Sequence, residues 1–319
     1  MEAEIALSAQ AVQRFKAGFP GALLITGART SGKSSLSKKV AERFFSLENI
    51  HSVQAPQDCS ADVDLFTRKL LDSMGVRNKR LDDVFMAMPA GKVIIIHDLG
   101  LWWERRPGGS AVVETILNLI DRFGHKCLFV INVNAYAFNL IDKQTRLNSF
   151  ALATVHCEAF DARELKEMIM LRHQAGGLKF LLNKKEESRM TAWDFARLFN
   201  RIFEQSMGNP GLAARIWLSS IKKVSGKTIV MHPVKMPDKG VFDTLTPDQW
   251  FYIQQFLYNR RFTAEKLAKN LEKPETIVNS DIRELMRSGI LVERFEGVFA
   301  IRSGLDLYLA EQLKQKKRL

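Results

Sequence analysis

Gly27-Ala28-Arg29-Thr30-Ser31-Gly32-Lys33-Ser34 decides the reading of this chain, because it matches the phosphate-binding pattern G-x-x-x-x-G-K-[ST] at every fixed position. The glycines let the backbone turn its N–H groups inward around an anion. Lys33 then reaches the β and γ phosphates, and the Ser34 hydroxyl holds Mg²⁺. The next residue, Ser35, is counted with the cradle, and the helix that opens at Lys33 points its positive end at the same anion. The flanks agree with this assignment. Gly18 to Pro20 break an amphipathic segment, Glu4 to Lys16, ahead of the apolar run Ala22 to Ile25. Beyond the loop, Leu36, Val40 and Phe44 recur every four residues, so strand, glycine loop and helix follow directly on one another. ATP and Mg²⁺ are the ligands expected.

Further along, strand and helix patterns alternate. Strands are expected near His51 to Gln54, at Val93 to His97, Cys127 to Val133 and Leu152 to Cys157; helices are expected over Ala61 to Ser73 and Ser110 to Phe123. That alternation predicts an α/β fold with a parallel sheet covered on both faces. The run Val93-Ile94-Ile95-Ile96-His97-Asp98 carries an acid to the tip of a buried strand, where a P-loop site needs a carboxylate for the metal's water shell. Asp98 and Ser34 are therefore the metal-side candidates.

From Asp161 the strand signals stop, and helical patterns over Ala162 to Gln174, Thr191 to Gln205 and Gly211 to Ile221 predict a small all-α unit. Ser225 to Gly240, with Pro233 and Pro237, reads as an extended linker. Three helices follow, Pro247 to Tyr258, Thr263 to Asn270 and Glu275 to Ser288, then two strands, Leu291 to Arg294 and Val298 to Ile301, which turn at Glu296-Gly297. Three helices and a hairpin make the winged-helix arrangement. The domains expected are thus 1–158 for the nucleotide-binding core, 159–224 for the helical lid and 225–319 for linker and winged helix.

Composition sets outer bounds. A hydrophobic fraction of 46% and a charged fraction of 26% are those of an ordinary globular protein. No apolar run is long enough for a membrane span, and Glu2 and Glu4 at the start do not resemble a signal peptide, so a cytoplasmic location is expected. Cys59, Cys127 and Cys157 are far apart and fit neither a disulfide framework nor a metal site. The net charge of +12 suggests an anionic partner, DNA or another nucleic acid, with a solvated basic surface as the alternative. Residues 240–319 hold 13 Lys+Arg against 11 Asp+Glu, so most of the excess lies before the winged helix. The presumed recognition helix mixes Arg283 and Arg287 with Glu275, Asp281 and Glu284, which suits a protein-docking module as well as a DNA reader. Lys314, Lys316, Lys317 and Arg318 are either further phosphate contacts or a solvated tail.

In the order of these elements, with the P-loop as its specific motif, the chain resembles the AAA+ ATPases, in particular the origin-recognition-like and STAND-like groups that carry a winged helix after the lid. The resemblance implies a P-loop NTPase (AAA+ type) core, ATPase activity and possible self-assembly. It implies a polar sensor 1 at the end of the strand Leu128 to Asn134, for which Asn134 is the first candidate and Asn132 the second, a capping role being the alternative. It implies an arginine finger ahead of the fifth strand, where Arg146 stands, and a sensor 2 arginine after Gly208-Asn209-Pro210-Gly211, where Arg215 stands. One departure is important. The family usually follows the metal-binding Asp with a water-activating Glu, and here Leu99 follows Asp98. Either Glu104 folds back from the loop Leu99 to Gly109 to serve as general base, or hydrolysis is slow and the protein is a nucleotide switch with a protein partner. That loop also holds Trp102, Trp103, Arg105 and Arg106; aromatic residues beside arginines stack on bases or anchor a protein partner, and the alternative is that the two tryptophans pack beneath the loop.

Overall fold

The computed structural model describes residues 2–234, 242 and 244–316. Pro237, Lys317 and Arg318 lie outside the described residues. Two compact units are formed: one comprises residues 1–29, 33–157 and 246–319, the other 158–245 with the loop residues 30–32.

In the first unit, helix α1 (Glu2–Lys16) precedes β1 (Ala22–Gly27) and α2 (Lys33–Phe44). Then come β2 (Ile50–Val53), α3 (Val63–Ser73), α4 (Leu81–Ala87), β3 (Lys92–Ile96), α5 (Ala111–Phe123), β4 (Cys127–Asn134), α6 (Ala135–Thr145) and β5 (Ala151–Cys157). The five strands pair in parallel in the order β2-β3-β4-β1-β5. Because successive side chains of a strand point to opposite faces, each run supplies both layers. Ala22, Leu24, Ile94, Ile96, Phe129 and Ile131 join one core with α3, α5 and α6, while Leu23, Ile25, Val93, Ile95, Leu128 and Val130 join a second core with α1 and α2. Burial on both faces explains why these strands read as unbroken apolar runs rather than alternating ones. The strand that ends before Asp98 is not the immediate neighbour of β1, since β4 lies between them.

The same unit closes with α10 (Pro247–Asn259), β10 (Arg261–Thr263), α11 (Ala264–Leu271), α12 (Glu275–Arg287), β11 (Leu291–Phe295), β12 (Val298–Ile301) and α13 (Asp306–Gln315). These four helices accompany a three-stranded sheet, β10-β12-β11, and include the three helices and the hairpin expected from the sequence. The helices start where local chemistry directs: Thr246 and Gln249 make a reciprocal capping box with Pro247 in the first turn, and Thr263 caps α11.

The second unit corrects the expectation of an all-α lid and of a linker from Ser225 to Gly240. Beside α7 (Ala162–Ala175), α8 (Ala192–Ser206) and α9 (Pro210–Ser219) it holds β6 (Lys179–Leu182), β7 (Lys185–Glu186), β8 (Ile221–Ser225) and β9 (Thr228–Met231) in one sheet of order β7-β6-β9-β8. Trp217, Phe180, Phe199 and His173 pack together between helices and sheet. The unit runs to residue 245 instead of the expected 224, and the helix expected from Pro247 begins directly after it.

No described helix is long and apolar enough to cross a membrane. Among the described residues no three of His, Cys, Asp and Glu cluster as a metal site. Cys59 and Cys127 are buried, and burial pushes both thiols up, Cys127 to about 12. Cys157 is half-buried at the end of β5. A thiol reagent added to the native protein should therefore modify Cys157 at least about tenfold faster than the other two, since the thiolate and its access control the rate; peptide mapping of the labelled protein after a time course checks this.

Candidate nucleotide-binding site

Gly27 ends β1 and Lys33 opens α2, so Gly27 to Ser34 is a turn between a buried strand and a helix N-terminus. Gly32 has φ +103°, a conformation side-chain-bearing residues rarely adopt, and a Cβ placed there would meet nothing within 4 Å. The loop thus bends around open space. Ser34 and Ser35 are exposed at its rim, whereas the Ser31 hydroxyl is buried with no hydrogen-bond partner. An unsatisfied buried hydroxyl beside a helix N-terminus suits an anion with several acceptor oxygens, so the residues present fit a nucleotide's phosphates.

Lys33 is only 7% exposed. Its Nζ donates to the carbonyls of Gly27 (3.0 Å) and Ala28 (2.6 Å). Burial pulls its pKa down to about 8, against the opposing attraction of Asp98. The ammonium is thus held ready by the loop's own oxygens. Phosphate oxygens would supply the charge that those carbonyls only partly replace.

Within the second unit, Thr30, at φ 59°, donates from Oγ1 to Asn209 Oδ1 (2.8 Å) and accepts at its carbonyl from Gly211 N (3.1 Å). A Cβ on Gly211 would lie 2.6 Å from Thr30 Cβ, so only glycine permits this approach. Asn209 also caps α9 through Leu212 N. The turn Gly208 to Gly211 and the loop residue Thr30 are therefore bonded directly, and Arg215 stands exposed on α9 beyond that turn.

Asp98 has the left-handed backbone φ 48°, ψ 59° at the tip of the strand. Its carboxylate is paired with the guanidinium of Arg260, the residue that follows α10. Both side chains are about one-third exposed (37% and 33%), so the pair is worth on the order of 1 kcal/mol rather than the several of a sealed one. Sequence reading missed Arg260. It lies 162 residues from Asp98, and a single arginine after a helix carries no signal of its own.

The other candidates separate. Glu104 is 5% exposed, and both of its oxygens serve the loop: Oε1 accepts from Ala61 N (3.2 Å) and Oε2 pairs with Arg106. Each oxygen of this candidate general base thus has a partner within the protein. Trp102 and Trp103 are fully buried, Trp102 edge-on to Phe66 and Trp103 donating to Gln144 (2.9 Å), so they pack beneath the loop. Asn134 accepts from Tyr136 N (3.2 Å) as the cap of α6 and donates to the Leu257 carbonyl (2.8 Å); the capping alternative describes it, and its amide is committed on both sides. Asn132, fully buried, faces Ser37 with Oδ1 (2.6 Å) and His97 Nδ1 with Nδ2 (3.1 Å). With Nδ1 accepting, the imidazole's Nε2–H donates to Ser52 (3.0 Å), the neutral tautomer that burial also favours by lowering the His97 pKa. Arg146 sits exposed at the C-terminus of α6 at φ 55°, free of the sheet's interior.

A parallel sheet of this order with a P-loop after β1 and an acid after β3 is the fold of the AAA+ P-loop ATPases. The ADP form of the ORC2 protein of Aeropyrum pernix is similar over 98% of this chain and 93% of its own, with a TM-score of 0.52 and 12% identity. Two others are a Thermotoga maritima RuvB Holliday junction branch migration motor (TM-score 0.46, 15% identity, 98% and 93% covered) and a Walker-type ATPase of Pyrococcus abyssi (0.48, 13%, 95% and 94%). No family model matches the sequence, and no curated protein matches it. At such identities the ORC2 likeness shows the fold.

Replacing Lys33 by alanine should weaken ATP binding about 10- to 150-fold, the equivalent of one hydrogen bond to a charged group at about 1.5–3 kcal/mol. Thermal unfolding should move by only a few degrees, because the lost ammonium is itself poorly solvated. Calorimetry with ATP and a melting curve on the same preparation check both halves.

Proposed function

We propose that this chain binds Mg-ATP at Gly27 to Ser35 and acts as a nucleotide-dependent switch whose turnover is slow. The observation that carries the reading is an imbalance in the site. Everything that holds phosphate is in place: the ammonium of Lys33, the helix N-terminus of α2 and the hydroxyl of Ser34. The two positions weighed for activating water do not offer a free carboxylate: Leu99 after Asp98 is apolar and fully buried, and the Glu104 carboxylate is engaged by Ala61 N and Arg106. Ser34 and Asp98 are the residues that would hold Mg²⁺, which would supply positive charge to offset that of the phosphates when bound. Lys33 orients the γ phosphate, and Asn132 keeps α2 in register with β3 through Ser37 and His97.

A second reading is an ATPase that assembles on DNA, with Arg146 acting on a neighbouring subunit's nucleotide. It is favoured by the exposure of Arg146 and by Arg283 and Arg287, both exposed on α12 with no ion-pair partner among the described residues. The two readings predict different rates. A switch without a general base should hydrolyse ATP at roughly 10⁻⁴–10⁻³ s⁻¹, like a GTPase awaiting its arginine finger, rather than near the enzyme median of about 10 s⁻¹. Glu104→Gln should leave that basal rate within about threefold, since the residue acts on the loop and not on water. A rate per subunit that climbs with protein concentration and falls in Arg146→Ala would instead select the assembling ATPase. Filter binding of duplex DNA at two salt concentrations, with and without ATP, tests its partner: affinity falling steeply with salt supports it, and no retention removes it.

A further inference from the structure

Arg260 occupies an unusual place. It is the first residue beyond α10, it adopts φ 68°, ψ −43°, and it pairs with the carboxylate expected to face the metal. Asp98, its partner, also has positive φ. Two non-glycine residues in sparsely populated backbone regions, facing one another across 162 residues of chain, mark a contact held in place by its surroundings. Those surroundings are polar and specific. Asn259, fully buried, donates from Nδ2 to the carbonyls of Gly100 (3.0 Å) and Trp103 (2.6 Å), so the turn 259–260 grips the loop after β3 at three points. Leu257 is held from beneath by Asn134, and Arg261 reaches the Pro56 carbonyl (2.7 Å).

A carboxylate cannot serve a guanidinium and a divalent cation at once without forcing two like charges together. We infer that Arg260 and Mg²⁺ compete for Asp98, which makes the Arg260 turn a sensor of the metal that accompanies the nucleotide. This inference rests on the P-loop reading above. With no divalent cation at the site, Arg260 holds Asp98 and the turn is locked. When Mg-ATP is bound, the metal shell takes the carboxylate, the guanidinium loses its partner, and the residues that hold the turn, Asn259 and Leu257, loosen with it. The exchange is feasible because the pair is open to solvent and not sealed. It is local because Tyr258 stays packed in the core with Trp102 and Trp103, and because Lys266 remains bonded to Asp58 (2.7 Å). Metal-free ATP, which leaves Asp98 to Arg260, does not open the turn.

Hydrogen exchange on the full chain tests this, read over residues 97–104 and 256–263 with no ligand, with ATP and EDTA, and with Mg-ATP. Equilibrium binding of a fluorescent ATP analogue is measured in the same buffers. The expected result is exchange at least about tenfold faster over both segments with Mg-ATP only. Arg260→Gln should show that faster exchange without metal and need less Mg²⁺ to reach half-maximal nucleotide binding, while Arg260→Lys, which keeps a cation opposite Asp98, should restore the slow state in part. If the analogue binds with and without metal and exchange is the same in both, or if Arg260→Gln keeps the metal dependence of the parent, the inference is overturned while ATP binding stands. If the analogue does not bind at all, the nucleotide reading falls and this inference with it.

Discussion

A buried loop must find donors for its carbonyl oxygens, and here the loop that follows the acid-bearing strand finds them on a helix 156 to 159 residues further along the chain. Asn259 supplies the N–H groups for Gly100 and Trp103, at a position with no exposure to water. Leaving such groups unpaired costs roughly 1–3 kcal/mol each, a sizeable part of a domain's net stability. The winged helix is for that reason part of the core unit. The consequence reaches the site: whatever sets the position of α10 also sets the position of Asp98.

The C-terminal edge of the sheet is knit sideways as well. Ser37 on α2, Asn132 on β4, His97 after β3 and Ser52 on β2 bond in sequence, so the phosphate-binding helix is fixed to three strands by side chains and not by packing alone. Asn134, two residues on, faces the other way in role, capping α6 and holding α10. One strand therefore serves the cradle with one asparagine and the winged helix with the other.

How much of this was legible in the sequence follows from the range of each signal. The P-loop, the apolar strands and the three winged-helix segments are local patterns, and they appear within a few residues of where periodicity puts them. The sheet of the second unit was hidden for a physical reason: β8, Ile221–Ser225, is an edge strand exposed along most of its length, and β7 is two residues long, so neither shows the apolar run or the alternation that reveals a strand. Glu104 was chosen as the nearest acid, but nearness in sequence says nothing about which hydrogen bonds a carboxylate makes once the loop closes. Arg260 is the extreme case, where the information is entirely tertiary.

The first unit is discontinuous: residues 158–245 interrupt it before the winged helix completes it. During synthesis the five strands are all present once β5 has left the ribosome, yet one of the two cores waits for Tyr258, and the carbonyls of Gly100 and Trp103 wait for Asn259. At about 5–20 residues per second the intervening stretch takes roughly 4–18 s to translate. The nascent chain thus passes through a stage in which the cradle exists while Asp98 has no guanidinium beside it.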